Sequence, residues 1–350
     1  RGRPFAGFSR RKTPPTKETR SDGETLVMTR PVVGRLAPSP TGALHLGNAR
    51  TFLLAWLSVR SRGGRLILRM EDLDHPKVKP GASAGVLEDL RWLGLDWDEG
   101  PDIGGPSAPY TQSERRPIYR AALNRLRAAG LVYPCTCSRH DVEEAQSAPH
   151  GRNRHTLAYS GRCRNRYDSW DAACQTLPDG RLPCWRFRTP PGQSTFHDAF
   201  LGDCSLNVAE ELGDFAFARD PDGAGYQLAC TVDDAAMGIT EVVRGDDLVD
   251  ATHCQLALCR ALNLTPPVYC HVPLVIGPDG RRLAKRHGDT RIAAFRENGI
   301  SARRLIALLG AWSGLCSEDE HLSPAELLPR FSWDRIPGTP VVYRPGYAGI

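Results

Sequence analysis

Long apolar runs are missing from this 350-residue chain. The longest uncharged stretch, Ala261–Pro278, is broken by Pro266, Pro267, Pro273 and Pro278. Proline at that density prevents a single spanning helix, so no membrane segment is expected. A surplus of charge is missing too. The formal net charge is +5, but residues 1–30 hold eight Lys/Arg against three Asp/Glu, and residues 31–350 carry 37 of each sign. A nucleic-acid partner therefore cannot be argued from bulk charge and would need a local basic patch. No apolar leader segment opens the sequence, and no internal repeat runs along it. Apolar residues at 41% and charged residues at 24% exclude wholesale disorder, collagen and coiled coil. Eleven cysteines in a chain this long are not a small secreted disulfide framework. They are expected as buried thiols or metal ligands in a reducing cytoplasm.

What is present reads as an α/β protein. The length exceeds the roughly 250–300 residues at which one core stops growing, so two or three lobes are expected. Residues 1–30, rich in Arg, Lys, Thr and Pro, read as a disordered basic tail, with Met28 a candidate start. Val32–Ala37 reads as a buried strand stopped by Pro38-Ser39-Pro40-Thr41-Gly42. Leu46, Ala49, Leu53 and Trp56–Leu57 then recur at helical steps until Gly63-Gly64. Arg65–Met70 reads as a second strand, and strand, helix, strand on short connections implies a parallel βαβ unit. Ala82–Leu93 and Ser113–Ala129 read as helices. Residues 134–192, with five cysteines, many Arg and little periodicity, read as a metal-stapled insertion. Strand and helix patterns return at Tyr226–Val232, Ile239–Val243 and Thr252–Leu262, followed by a hairpin-like stretch from Val272 to Ala284. Helices at Ile292–Asn298 and Ala302–Leu309 follow.

Three constellations carry chemistry. Arg35–Asn48 lies between a strand and a helix start, where free backbone N–H groups and the helix dipole favour a phosphate. Gly42 and Gly47 lack a Cβ, leaving room for a nucleotide, and Thr41 and His45 can donate to phosphate oxygens. Far along the chain, Leu283-Ala-Lys285-Arg-His287 offers a lysine able to neutralise a polyphosphate. Cys135-Thr-Cys137, with Cys163 further on, can clasp a zinc ion, although buried thiols have the same spacing. Each signal alone is common. Their pairing in this order is not.

Arg35-Leu-Ala-Pro-Ser-Pro-Thr-Gly42, with His45-Leu-Gly47-Asn48 behind it, resembles the lead-in and His-Ile-Gly-His signature of class I aminoacyl-tRNA synthetases of the glutamyl branch. Leu283–His287 stands at that family's Lys-Met-Ser-Lys-Ser loop. Arg69-Met-Glu71-Asp72-Leu-Asp74, Tyr226-Gln-Leu-Ala, Val232-Asp-Asp and Val243-Arg244-Gly-Asp-Asp match as well, so the resemblance spans about residues 32–300. It implies a Rossmann-like catalytic domain in two halves, 31–133 and 193–275, a zinc-binding insertion at 134–192, and a signature-loop and helical segment at 276–350. It also implies ATP with Mg²⁺, bound by Thr41, His45, Gly47, Asn48 and Lys285, with His45 and Lys285 acting on the phosphates. Two departures stand out: Asn48 replaces the second signature histidine, and Ala284 stands where Met or Ser is usual.

Glutamate presents two carboxylates and one ammonium, so its pocket should offer two cations and one anion. By resemblance Arg35 and Arg244 take carboxylates, Glu71 holds the ammonium, Tyr226 lines the pocket, and Leu36, Ala37, Pro38 and Ser39 complete the wall. Only 65 residues follow Lys285, ending in a Pro/Gly-rich stretch, which leaves little for an anticodon-binding domain. The chain is therefore expected to resemble the branch's stand-alone paralogues, monomeric here, which activate glutamate without tRNA and transfer it to queuosine in the anticodon of tRNA(Asp). Those paralogues hold structural zinc with a Cys-x-Cys, Tyr-x3-Cys set, here Cys135, Cys137, Tyr159 and Cys163, with His140, His155 and Cys174 as substitutes for the tyrosine. A truncated enzyme charging a tRNA 3′ end, and a catalytically silent zinc-stapled RNA-binding module, are the alternatives.

Overall fold

Val33–Leu36 forms β1 with all four residues buried, the mark of a strand covered on both faces. The computed structural model describes residues 31–344 except 41, 74–80, 139, 143–157, 179 and 284–287. The basic tail, Thr41, His155 and Lys285 lie outside the described residues. Gly34 is needed in β1, because a Cβ there would lie 2.3 Å from Val59 Cγ2. That close approach seats α1 (Leu46–Arg60) on the strand. Leu46, Leu53, Leu54 and Leu57 are wholly buried, each worth about 1.5–3 kcal/mol. β2 (Arg65–Leu68) returns parallel to β1, with Val33 opposite Arg65 and Leu36 opposite Leu68, as the sequence pattern predicts.

The antiparallel part comes next. After α2 (Ala82–Trp92), α3 (Arg116–Ala128) buries Tyr119, Ala122, Leu123 and Leu126 on one stripe and turns its arginines outward. β3 (Val132–Cys135), β4 (Cys184–Phe187) and β7 (Ala216–Ala218) form an antiparallel sheet in that order. β4 has two faces. Trp185 and Phe187 join the core formed with α3, while Cys184 packs with Cys135, Tyr159 and Cys163. Arg186 stands over the Tyr159 ring, 3.6 Å from its centroid. β5 (Ser194–Asp198) and β6 (Gly202–Leu206) make a hairpin that the sequence pattern does not predict. The reason is physical: the two buried positions of β5 are polar, Ser194 and Asp198.

α4 (Tyr226–Ala236) leads to a second parallel pair, β8 (Glu241–Gly245) and β9 (Val268–Val272), joined through α5 (Val249–Leu262). The pairs meet at β1 and β8, where Thr240 N donates to Val33 O at 2.8 Å and Val33 N donates to Thr240 Oγ1 at 2.9 Å. The chain moves from β1 outward to β2 on one side and to β8 and β9 on the other. This reversal is a topological switch point, where open α/β sheets bind ligands at the strand carboxyl ends. Short strands β10 (Val275–Ile276) and β11 (Val341–Val342) pair in parallel, and α6 (Ala302–Ala311) packs on α1. Among the described residues no helix is long and apolar enough to cross a membrane.

Candidate active site

The carboxyl end of β1 places Arg35, and that of β8 places Arg244, on either side of the switch point. Both are buried. Arg35 Nε lies 3.6 Å from Asp234 Oδ1 and makes no hydrogen bond among the described residues. Glu71, just beyond β2, is held from several sides. Its N–H donates to Pro38 O at 2.9 Å, Arg69 Nη2 donates to its carboxylate at 2.9 Å, and Cys230 Sγ donates at 3.2 Å. Tyr226 opens α4 and is 38% exposed. Burial raises its phenol above the ordinary range, and Arg244, Glu71 and Arg35 all act on it electrostatically. The four side chains expected at the glutamate pocket are therefore brought together, with Tyr226 near both arginines and Glu71.

Arg244 is the most constrained. Its Nε donates to His271 Nε2 at 3.1 Å, its Nη2 donates to Thr252 Oγ1 at 2.6 Å, and it lies 5.1 Å from the centre of the Tyr269 ring. Nη1 is buried without a hydrogen-bond partner among the described residues. A buried cationic N–H without a partner is costly, and a carboxylate is the group that relieves it. The wall residues contribute differently. Leu36 is wholly buried in the core and offers only backbone, its carbonyl accepting from Arg69 N at 2.8 Å; Pro38 is buried, Ala37 half-buried and Ser39 exposed.

Several residues carry the site without a role assigned from sequence. Arg69 is fully buried and donates to Asp234 at 2.7 Å as well as to Glu71, with Asp233 at 4.0 Å. Burial by itself would lower its pKa; Asp234 and Glu71 hold it well above the usual value. Asp233 is in turn bound by Arg115, Gln112 and Tyr119. The motifs containing Arg69 and the Asp233–Asp234 pair were the signal available. Nothing in the sequence marks His271 or its carboxylate partner Asp198.

At the nucleotide end, His45 is the N-cap of α1, with extended φ and ψ and no side-chain cap. Its Nδ1 is buried without a partner among the described residues, and burial first, Arg282 second, lower its pKa to about 4. The ring is therefore neutral at pH 7. A Cβ on Gly47 would lie 3.2 Å from His45 Cε1, so the space expected for a nucleotide is shared with the histidine ring. Asn48 is half-buried in the first turn. Leu46 N donates to Thr290 O at 3.0 Å and Ile292 N to Leu44 O at 2.8 Å. The first signature is thus stitched to the segment that follows the second.

The cysteines form a separate centre. The sulfurs of Cys135, Cys137 and Cys163 lie within 4.8 Å of one another, with Cys137 and Cys163 at 3.6 Å. Tetrahedral zinc with bonds of ~2.3 Å separates its sulfurs by about 3.8 Å, so the cluster fits such an ion. Tyr159 Oη accepts from Cys135 Sγ at 3.3 Å and from Cys163 N at 2.8 Å, beside the three sulfurs. Cys163 is pushed up to about 12, first by its hydrogen bond with Cys135 and then by burial, a shift that a divalent cation reverses. Cys174 packs at the edge of the neighbouring apolar core instead. His140 does not join the cluster formed among the described residues.

A parallel sheet with a topological switch point, a neutral histidine at the first helix and two buried arginines at the strand carboxyl ends are the features of a nucleotide-dependent α/β enzyme. The family model described as "tRNA synthetases class I (E and Q), catalytic domain" matches residues 31–323, and the chain belongs to that family. It is 49% identical over 308 residues to glutamyl-Q tRNA(Asp) synthetase of Symbiobacterium thermophilum, covering 88% of this chain and 94% of that one. Glutamate–tRNA ligase 2 of Syntrophus aciditrophicus is 40% identical over 86% of this chain, which spans 61% of that relative. The crystal structure of glutamate-tRNA synthetase from Elizabethkingia anophelis superposes with a TM-score of 0.76 at 28% identity, covering 91% of this chain and 69% of that one.

Proposed function

We propose that this chain activates L-glutamate with ATP in the absence of tRNA and transfers it to queuosine in the anticodon of tRNA(Asp). The observation that carries the reading is the charge pattern of the pocket. Two buried guanidiniums, Arg35 and Arg244, stand with Glu71 around Tyr226, and Arg244 keeps a cationic nitrogen unpartnered among the described residues. Two cations and one anion are the complement of glutamate. The α-carboxylate of glutamate attacks the ATP α-phosphate in line and pyrophosphate leaves. The neutral His45, the start of α1 with Asn48 and Gly47, Thr41, and Lys285 stabilise the charge that builds on the phosphates. Mg²⁺ bound with ATP supplies charge neutralisation. A hydroxyl of the modified base then attacks the glutamyl carbonyl and AMP leaves.

The same reading takes residues 134–192 as an inserted lobe stapled by zinc at Cys135, Cys137, Tyr159 and Cys163, and the protein as a cytoplasmic monomer. Identity favours queuosine as acceptor over a tRNA 3′ end: it is 49% to the glutamyl-Q relative and 40% to the glutamate–tRNA ligase. Intact Arg35, Glu71 and Arg244 disfavour a silent RNA-binding module. The test has two stages. Glutamate-dependent ATP–pyrophosphate exchange should proceed without RNA, and exchange seen only with tRNA would point to a conventional ligase. Transfer should then require queuosine-containing tRNA(Asp); equal transfer to unmodified tRNA(Glu) would overturn the acceptor assignment.

A further inference from the structure

We infer that Asp198 and His271 are positioning residues that fix the Arg244 guanidinium for the substrate carboxylate, an inference that rests on Arg244 binding glutamate. Arg244 and His271 are register partners on the adjacent strands β8 and β9. Arginine Nε can only donate, so the 3.1 Å contact makes His271 Nε2 an acceptor. The ring proton is then on Nδ1, which donates to Asp198 Oδ2 at 2.6 Å. His271 and Asp198 are both fully buried, and burial, outweighing Asp198, lowers the imidazole pKa and favours this neutral form. Asp198 is itself fixed: its Oδ1 accepts from Phe200 N and Leu201 N at 3.0 and 2.9 Å, and both oxygens lie 3.1 Å from His271 N. Thr252 Oγ1 completes the hold by accepting from Nη2. The relay therefore grips two nitrogens of Arg244 and leaves Nη1 for the ligand. A planar fork held from behind has one presentation, whereas a free one samples many rotamers and loses affinity in being ordered.

The arrangement gives a substitution that alters hydrogen positions and almost no volume. In Asp198→Asn, the loop N–H groups of Phe200 and Leu201 keep the amide oxygen, and the amide NH₂ turns toward His271 Nδ1. The imidazole then carries its proton on Nε2, which can donate to Thr252 Oγ1 at 3.0 Å and no longer accepts from Arg244 Nε. In glutamate-dependent pyrophosphate exchange by the full chain, Asp198→Asn and His271→Leu should raise the glutamate KM by about tenfold or more. The ATP KM should stay within about twofold. His271→Gln, whose amide oxygen can still accept from Arg244, should recover most of the loss. Arg244→Gln serves as the reference. If it leaves the glutamate KM unchanged, the pocket reading itself fails. If it raises that KM while Asp198→Asn and His271→Leu do not, the positioning role is overturned. Glutamate KM, ATP KM and thermal midpoint moving together, or equal losses in His271→Gln and His271→Leu, would overturn it as well. Should Asp198→Asn not fold, the Gln and Leu pair at His271 decides.

Discussion

Replacing Arg69 by Met keeps an unbranched apolar stem but removes the buried guanidinium that neutralises Glu71, Asp233 and Asp234. The consequences for its three carboxylates differ. Asp233 keeps Arg115 at 2.7 Å together with Gln112 and Tyr119. Among the described residues, Asp234 is left with Arg35 at 3.6 Å, and the Glu71 side chain with the Cys230 thiol. Breaking a single buried pair costs about 3–5 kcal/mol. With two carboxylates left under-compensated, the upper end, about 5 kcal/mol, is expected, a large part of the roughly 5–15 kcal/mol that holds a domain folded. Urea unfolding at pH 8 reads this as a lower midpoint at unchanged slope. The loss should shrink toward pH 5, because unpaired buried carboxylates take up protons in the folded variant before they do in the unfolded chain. Neutralising both orphans, with Glu71→Gln and Asp234→Asn added, should restore part of the loss at pH 8. An Arg69→Met midpoint within about 1 kcal/mol of wild type at pH 8 would refute the reasoning.

Other outcomes are expected. Elemental analysis of unchelated protein should find one zinc per chain, and Cys135→Ser or Cys163→Ser should lower both metal content and thermal midpoint while pyrophosphate exchange persists below that midpoint; metal-free protein would sink the assignment. Burial first, then His271 and Arg260, lower the pKa of His253 to about 4 from 6.5. The folded state thus refuses a proton that the unfolded chain accepts, and this residue should cost up to about 3 kcal/mol of stability as pH falls from 6.5 to 4. His253→Asn should flatten that decline in urea titrations, and an unaltered pH profile would contradict it. Lys285→Ala should slow exchange by roughly two to three orders of magnitude with glutamate binding hardly changed. A near-normal rate would pass the role to another group.

The strand–helix–strand opening was legible because its residues obey local rules: apolar runs at β1 and β2, three- and four-residue steps along α1, and glycines at the end. Arg35, Glu71, Tyr226 and Arg244 were singled out through motif context, since no periodicity joins positions so far apart. What escaped were polar residues doing interior work. β5 hides Ser194 and Asp198 where alternation would demand apolar side chains, so the hairpin gave no pattern. Asp198 and His271 are 73 residues apart and meet only because β5 lies beside β9. At Gly47 the missing Cβ leaves a space bordered by the ring of His45, two residues earlier, a contact that residue spacing alone does not reveal.

The two-faced strand β4 has a consequence for how this molecule opens. One face packs with the cysteine centre; the other packs into the core that contains Leu228, Ala229 and Val232 of α4, the helix that begins with Tyr226. β4 makes both sets of contacts within four buried residues. Slack at the sulfurs is therefore expected to reach the packing beneath α4. In native-state hydrogen exchange the amides of β4 and α4 should open as one cooperative unit, and chelation should speed both together.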